Sequence, residues 1–270
     1  HVMTDFWQLT FPMPGQSESH AVAAENNGWD GLFFADTQCL SGDIYSAMCL
    51  AAKATTTLKV GTAVTNPVTR HAAVTASAIA TVQVESNGRA VLGIGRGDSS
   101  LGLLGQKPAP AARLADYVEQ LQGYLRGGPV DLDGFASHIS WINGSGQPKV
   151  PVDVASTGPQ VIALAARFAE RITFAMGADP VRIAQGVEDA RRTAEEAGRD
   201  PEELGFGAYV NIACDSDVQR ARDIVRGSAG TFAHFSGMSV AASAGLQDAP
   251  VFQHIGANYD MANHASGKAA

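Results

Sequence analysis

Ala90-Val-Leu-Gly-Ile-Gly-Arg-Gly-Asp98 is the stretch whose reading decides the fold. Residues 90–94 are apolar throughout, as a strand buried on both faces of a parallel sheet requires. Gly95-Arg96-Gly97-Asp98 cannot easily continue that strand, because two glycines favour positive φ or let a ligand approach bare backbone. One cation and one anion therefore stand at the C-terminal end of a buried strand, the end at which parallel α/β folds bind ligands. Locally two readings stay open: a tight turn whose Arg96 and Asp98 meet only solvent, and a ligand loop.

The flanking sequence repeats the pattern. On the N-terminal side, 6–12, 31–36 and 58–64 read as strands, and Asp36 and Thr65-Asn66 stand at or just after the ends of the second and third. Helices are expected from Ser17 as N-cap to Asn27, from Asp43 as N-cap, and from about His71 to Val84. On the C-terminal side, Leu114, Tyr117, Val118, Leu121 and Leu125 lie on one face of a helix over 110–126. Residues 127–149 break the rhythm and suggest an excursion containing a short hairpin. Strands follow at 150–155, 171–175 and 204–213. Asp179-Pro180 supplies N-cap and N1 for a long helix, and Asp215 or Ser216 is expected to start another. Seven strand-then-helix units in series imply an α/β fold of the TIM (β/α)8 type, in one domain over 1–270. The eighth unit is missing from the pattern, and 233–270 reads as an irregular tail.

Composition narrows the function. The chain has 270 residues, 45% hydrophobic, enough for one barrel core. A formal net charge of -8 without a basic run argues against nucleic acid and anionic membranes. No run of 18 apolar residues and no secretory signal is seen, so a cytoplasmic protein is expected. Cys39, Cys49 and Cys214 read as free thiols, Cys49 in the core. The histidines lack metal spacing, and no metal site is expected. His71, at the start of the third helix, is a candidate catalytic residue, while His138, His234, His254 and His264 read as surface groups or fillers. Arg89 falls at the opposite, N-terminal end of its strand and reads as structural.

If the strands form a barrel, their C-terminal ends gather Asp36-Thr37, Ala63-Val64-Thr65-Asn66, Gly95 to Asp98, Ser156-Thr157-Gly158 and Met176-Gly177. Ser156-Thr157-Gly158 precedes a helix and offers donors suited to a phosphate; simple capping of that helix is the alternative. Asp98 in a partly dry mouth can have a raised pKa and act as a general acid.

Three segments, 30–36, 60–67 and 89–98, together resemble the bacterial luciferase-like superfamily. Within it they are similar to the branch of oxidoreductases that use the deazaflavin coenzyme F420, over about residues 4–232. The resemblance implies a (β/α)8 barrel with a flavin-like ring in its mouth and hydride transfer at that ring. It implies a bulge with a non-prolyl cis peptide at Ala63-Val64 behind the ring, with Asp36 and Thr37 nearby. Gly95, Arg96, Gly97 and Asp98 would line the polar edge of the ring and its ribityl chain. Ser156, Thr157, Gly158 and Gly177 would meet the phosphate end, with Met176 and Asn66 also at the cofactor. Asp98, Asp36 and His71 are the catalytic candidates. The sugar-phosphate-oxidising members have a His after the second-strand Asp and a Glu after the fourth-strand Gly pair. Thr37 and Asp98 stand here instead, so that substrate does not carry over. The expected function is an oxidoreductase moving hydride between F420 and an unidentified small organic substrate. The alternatives are an FMN-dependent monooxygenase and a non-catalytic flavin-binding member; a homodimer is left open.

Overall fold

The computed structural model describes residues 4–226, together with residues 250 and 260. The chain divides into two compact units, His1–Asp153 and Val154–Ala270. The expected tail over 233–270 and the place of an eighth unit lie outside the described residues, apart from 250 and 260, as do His234, His254 and His264.

The first unit runs β1 (Trp7–Thr10), α1 (Ser17–Asn26), β2 (Gly31–Phe34), α2 (Ile44–Ala54), β3 (Lys59–Thr62), α3 (Ala72–Glu85) and β4 (Ala90–Ile94). A single turn, α4 (Ser99–Gly102), then α5 (Ala111–Leu125) and a hairpin of β5 (Val130–Leu132) and β6 (Phe135–Ser137) complete it. Strands β1 to β4 pair side by side and in parallel. The register sets large rings over glycines of the next strand. Trp7 pairs with Gly31, where a Cβ would lie 2.3 Å from the indole, and Phe33 pairs with Gly61, where it would lie 2.6 Å from the phenyl ring. The two rings stack at 4.2 Å between centroids. Every residue of β2 and β4 is buried, as two covered faces demand. The five apolar residues that define the face of α5 are all buried, and α5 packs on α3.

Two charged side chains tie this frame on the side away from the strand C-termini. Arg89, just before β4, donates to the carbonyls of Ala52 (2.8 Å), Thr55 (3.0 Å) and Leu58, closing the C-terminus of α2. Its structural reading stands. Glu25, in the last turn of α1, accepts the N–H groups of Thr56, Thr57 and Leu58 at 2.6–2.9 Å through one oxygen.

The second unit begins within β7 (Val152–Ser156) and continues through α6 (Pro159–Phe168), β8 (Arg171–Phe174), α7 (Pro180–Glu196) and β9 (Gly205–Ala208). Strands β8 and β9 pair in parallel. Phe174 stacks on Phe206 and covers Gly186 of α7, where a Cβ would lie 2.8 Å from the ring. Arg199 repeats the device of Arg89, donating to the carbonyls of Ala166 (2.6 Å) and Ala169 (2.8 Å) at the end of α6.

Several boundaries differ from expectation. The last described strand stops at Ala208; Val210 and Ile212 are exposed and continue no strand. The following helix, 218–226, starts from Asp217, whose carboxylate accepts the N–H of Gln219 (2.9 Å) and Arg220 (3.3 Å). Asp215 instead receives the N–H of Asp217. Ser17 is the first helical residue, with Gln16 at the N-cap. Cys49 is half-buried rather than core, because it lies toward the outer side of α2; all three cysteines are free.

Candidate functional site

The C-terminal end of β3 is shaped by one carbonyl. Gly93 O accepts the hydroxyl of Thr62 at 2.6 Å and the N–H of Thr65 at 3.0 Å. Ala63 and Val64, between these two fixed points, must therefore bow out of the ladder. The register records it: Gly61 pairs with Val91, an offset of 30, and Thr65 bridges Ile94, an offset of 29. That is a bulge of one residue. Its peptide bond, Ala63–Val64, is cis. Ala63 and Val64 are half-exposed between fully buried Thr62 and Thr65, so the bulge offers a small apolar step. Gly93 is required beneath it, since a Cβ there would lie 2.0 Å from the Thr62 oxygen.

A buried polar cluster backs the bulge. Asp36, just past β2, is 3% exposed. Its carboxylate accepts the guanidinium of Arg70 (2.5 and 3.3 Å), the hydroxyl of Thr65 (2.7 Å) and the amide of Gln38 (3.0 Å). Arg70 also lies over the ring of Tyr45 at 5.1 Å and 3.7 Å from Asp43, the N-cap of α2. Burial works against the charge on Arg70, but its bonds to Asp36 outweigh this and raise its pKa. Tyr117 of α5 donates to the carbonyl of Arg70 (2.9 Å), so its 2.7 Å contact with Thr75 is one in which Thr75 donates. Burial, and next the charge of Asp36, push the Tyr45 phenol up. Burial likewise raises Tyr117, so both phenols stay neutral at physiological pH.

The remaining first-unit candidates take distinct positions. Thr37 is buried, with its hydroxyl 3.4 Å from that of Ser99. Asn66 is fully buried; its carbonyl oxygen accepts the N–H of Val68 and Thr69, each at 3.0 Å, and its amide reaches Ser100 at 3.3 Å. Asn66 thus shapes the loop after the bulge. Gly95 is buried and donates its N–H to Thr65 O at 3.0 Å. Gly97, at φ +80°, packs against Leu101 and Asn66, where a Cβ would lie 2.8 and 3.1 Å away. Arg96 is exposed, and its Nε donates to Ala109 O at 2.5 Å. Asp98 is half-buried at the N-cap of α4. His71 is exposed and caps α3, Nδ1 accepting the N–H of Ala73 at 3.2 Å.

In the second unit Ser156 is fully buried, its carbonyl accepting the N–H of Ala175 at 2.9 Å, which links the end of β7 to the residue before Met176. Thr157 and Gly158 are half-buried where α6 begins, and Pro159 is its first residue. Met176 is buried, and Gly177 takes φ +75° with open space where a Cβ would stand. Asp179 caps α7 as expected, accepting the N–H of Val181 and Arg182.

The structure thus brings Asp36, Thr65 and Arg70 together, and separately Thr37 with Ser99 and Asn66 with Ser100 and Gly97. From the sequence Thr65 is placed at the mouth without a role, Tyr117 only on a helix face, and Arg70 not at all. The available signal was charge: Asp36 and Arg70 are opposite charges following adjacent strands.

Comparison with known proteins completes these observations. The luciferase-like monooxygenase family matches residues 12–269. The chain is 30% identical over 208 residues to 5,10-methylenetetrahydromethanopterin reductase of Methanolobus tindarius, covering 75% of this chain and 63% of that protein. It spans a little under two thirds of the length of the reductases it matches. It is 31% identical over 229 residues to F420-dependent glucose-6-phosphate dehydrogenase of Nakamurella multipartita, covering 79% of this chain and 68% of that one. The solved coenzyme F420 dependent tetrahydromethanopterin reductase of Methanopyrus kandleri superposes with a TM-score of 0.72 at 22% identity, covering 97% of this chain and 85% of that one. That likeness shows the fold: α/β, of the TIM-barrel type.

Proposed function

We propose, for a chain that belongs to the luciferase-like monooxygenase family, an oxidoreductase that moves hydride between coenzyme F420 and a small organic substrate. The observation that carries this reading is the 31% identity over 229 residues to an F420-dependent dehydrogenase. The bulge fits the group: an apolar, half-exposed Ala63–Val64 step on a fully buried polar support suits a flat ring that must be held without a covalent link. When bound, the deazaflavin would supply the redox chemistry, taking up a hydride in its oxidised form or giving one in its reduced form. Ala63 and Val64 would form the wall behind it and keep water from that face. Gly95, Gly97 and Arg96 would edge the ring and its chain, and Asp98 would stand beside it as the candidate proton donor or acceptor. Thr157, Gly158 and Gly177 are assigned to the phosphate end, with Ser156 and Met176 supporting them. Asp36 is saturated by four donors, which favours a positioning role over proton transfer. His71 stays a rim candidate through its Nε2, because Nδ1 is engaged as a cap. Three free cysteines suit a reducing cytoplasm.

Titration of the protein with F420 and, separately, FMN tests the reading. Micromolar F420 binding with weak FMN binding is expected. The reverse order would make this an FMN-dependent enzyme. F420 binding with no hydride passing from any of a panel of alcohols to oxidised F420, nor from reduced F420 to any of a panel of aldehydes and imines, would make it a binding protein.

A further inference from the structure

We propose that Thr65 and Arg70 are positioning residues that set the cofactor wall through the Asp36 carboxylate; this rests on the reading just given. Thr65 has every polar group committed. Its N–H donates to Gly93 O, its carbonyl accepts the N–H of Gly95, and its hydroxyl donates to Asp36. The two backbone bonds pin the end of the bulge to β4, and the hydroxyl pins it to the end of β2. The position of the Ala63–Val64 step therefore depends on where Asp36 sits.

Arg70 decides that. A carboxylate this buried must be matched by donors, and Arg70 supplies the charge. Its guanidinium is held by the face of Tyr45 and by the Asp43 side, and its backbone by Tyr117. Elements α2, α5 and the loop into α3 thus converge on one carboxylate, which transmits their placement to the bulge through Thr65.

Thr65→Val keeps shape and removes only the hydroxyl donor; Thr65→Ser keeps the donor. With full-length protein, F420 affinity by fluorescence, the absorption spectrum of bound F420 and the urea midpoint are measured for each. The expected result is F420 binding weakened about tenfold in Thr65→Val, the size a hydrogen bond to a charged group supports. The bound spectrum should move toward that of free F420, and Thr65→Ser should restore both. Arg70→Lys, which keeps charge and loses the fork, should weaken binding in the same direction and is the second variant should Thr65→Val not fold. Wild-type affinity and spectrum in Thr65→Val or, where that variant does not fold, in Arg70→Lys would overturn the inference alone, as would failure of Thr65→Ser to restore them. A wild-type protein that binds neither F420 nor FMN would overturn the functional reading, and this one with it.

Discussion

Gly93 has no room for a side chain, because the Thr62 carbonyl occupies the place of its Cβ. Gly93→Ala must push apart β3 and β4 where they support the bulge. A loss of about 1–3 kcal/mol in urea unfolding is expected, the range for overpacking. Gly144→Ala, with nothing within 4 Å of the new methyl, is the near-neutral control. Glu25 makes a prediction of a different kind. Burial raises its pKa, but the N–H groups of Thr57, Leu58 and Thr56 outweigh that and hold it at about 2, below the ordinary 4.5. A carboxyl lowered by folding stabilises fully above its ordinary value and loses that contribution as pH falls toward its folded value. Wild type should exceed Glu25→Gln in urea midpoint at pH 7, and the difference should shrink from about pH 4.5 downward and be lost as pH falls below about 2. A difference independent of pH would show that the carboxylate charge is not what binds these amides.

Helix ends show how elements are held. Arg89 gives α2 the donors that its last carbonyls lack, and burial draws its pKa down. Arg89→Met keeps the stem and removes all of those bonds. It should cost about 2–3 kcal/mol, in line with bonds to charged groups, measured as a shift in urea midpoint at constant m-value. The strands and helices were legible because their patterns are long or fully apolar: 90–94 matches β4 at both ends, and the 110–126 periodicity matches α5 closely. Element α4 was not legible, since four residues carry no period. The strand expected to reach residue 213 ends at 208, level with the last residue of its partner β8, Phe174. The bulge was legible only by resemblance. No spacing in 60–67 reveals that one carbonyl, Gly93 O, binds both Thr62 and Thr65. Nor does any local pattern set Arg70 apart from His71 beside it, although the buried carboxylate that Arg70 neutralises is itself a site candidate.

At the scale of the whole chain, charge becomes the deciding quantity. The sequence carries -8 at pH 7, and no helix among the described residues is long and apolar enough to cross a membrane. An anionic cofactor approaching such a molecule meets net repulsion at long range. It must be held at short range, its anionic groups by hydroxyl and backbone N–H donors and its ring by an apolar wall. These two contributions respond differently to salt. Between about 10 mM and about 150 mM ionic strength the Debye length falls from about 30 Å to about 8 Å, which removes long-range repulsion and leaves close hydrogen bonds largely intact. F420 should therefore bind as tightly or somewhat more tightly at the higher salt, with the gain in association rate, as electrostatic steering predicts for like charges. Stopped-flow fluorescence at several salt concentrations measures both rate constants. A loss of affinity of tenfold or more over this range would mean that the anion is held mainly by exposed cations, and would move the proposed phosphate contacts away from Thr157 and Gly158 to basic side chains.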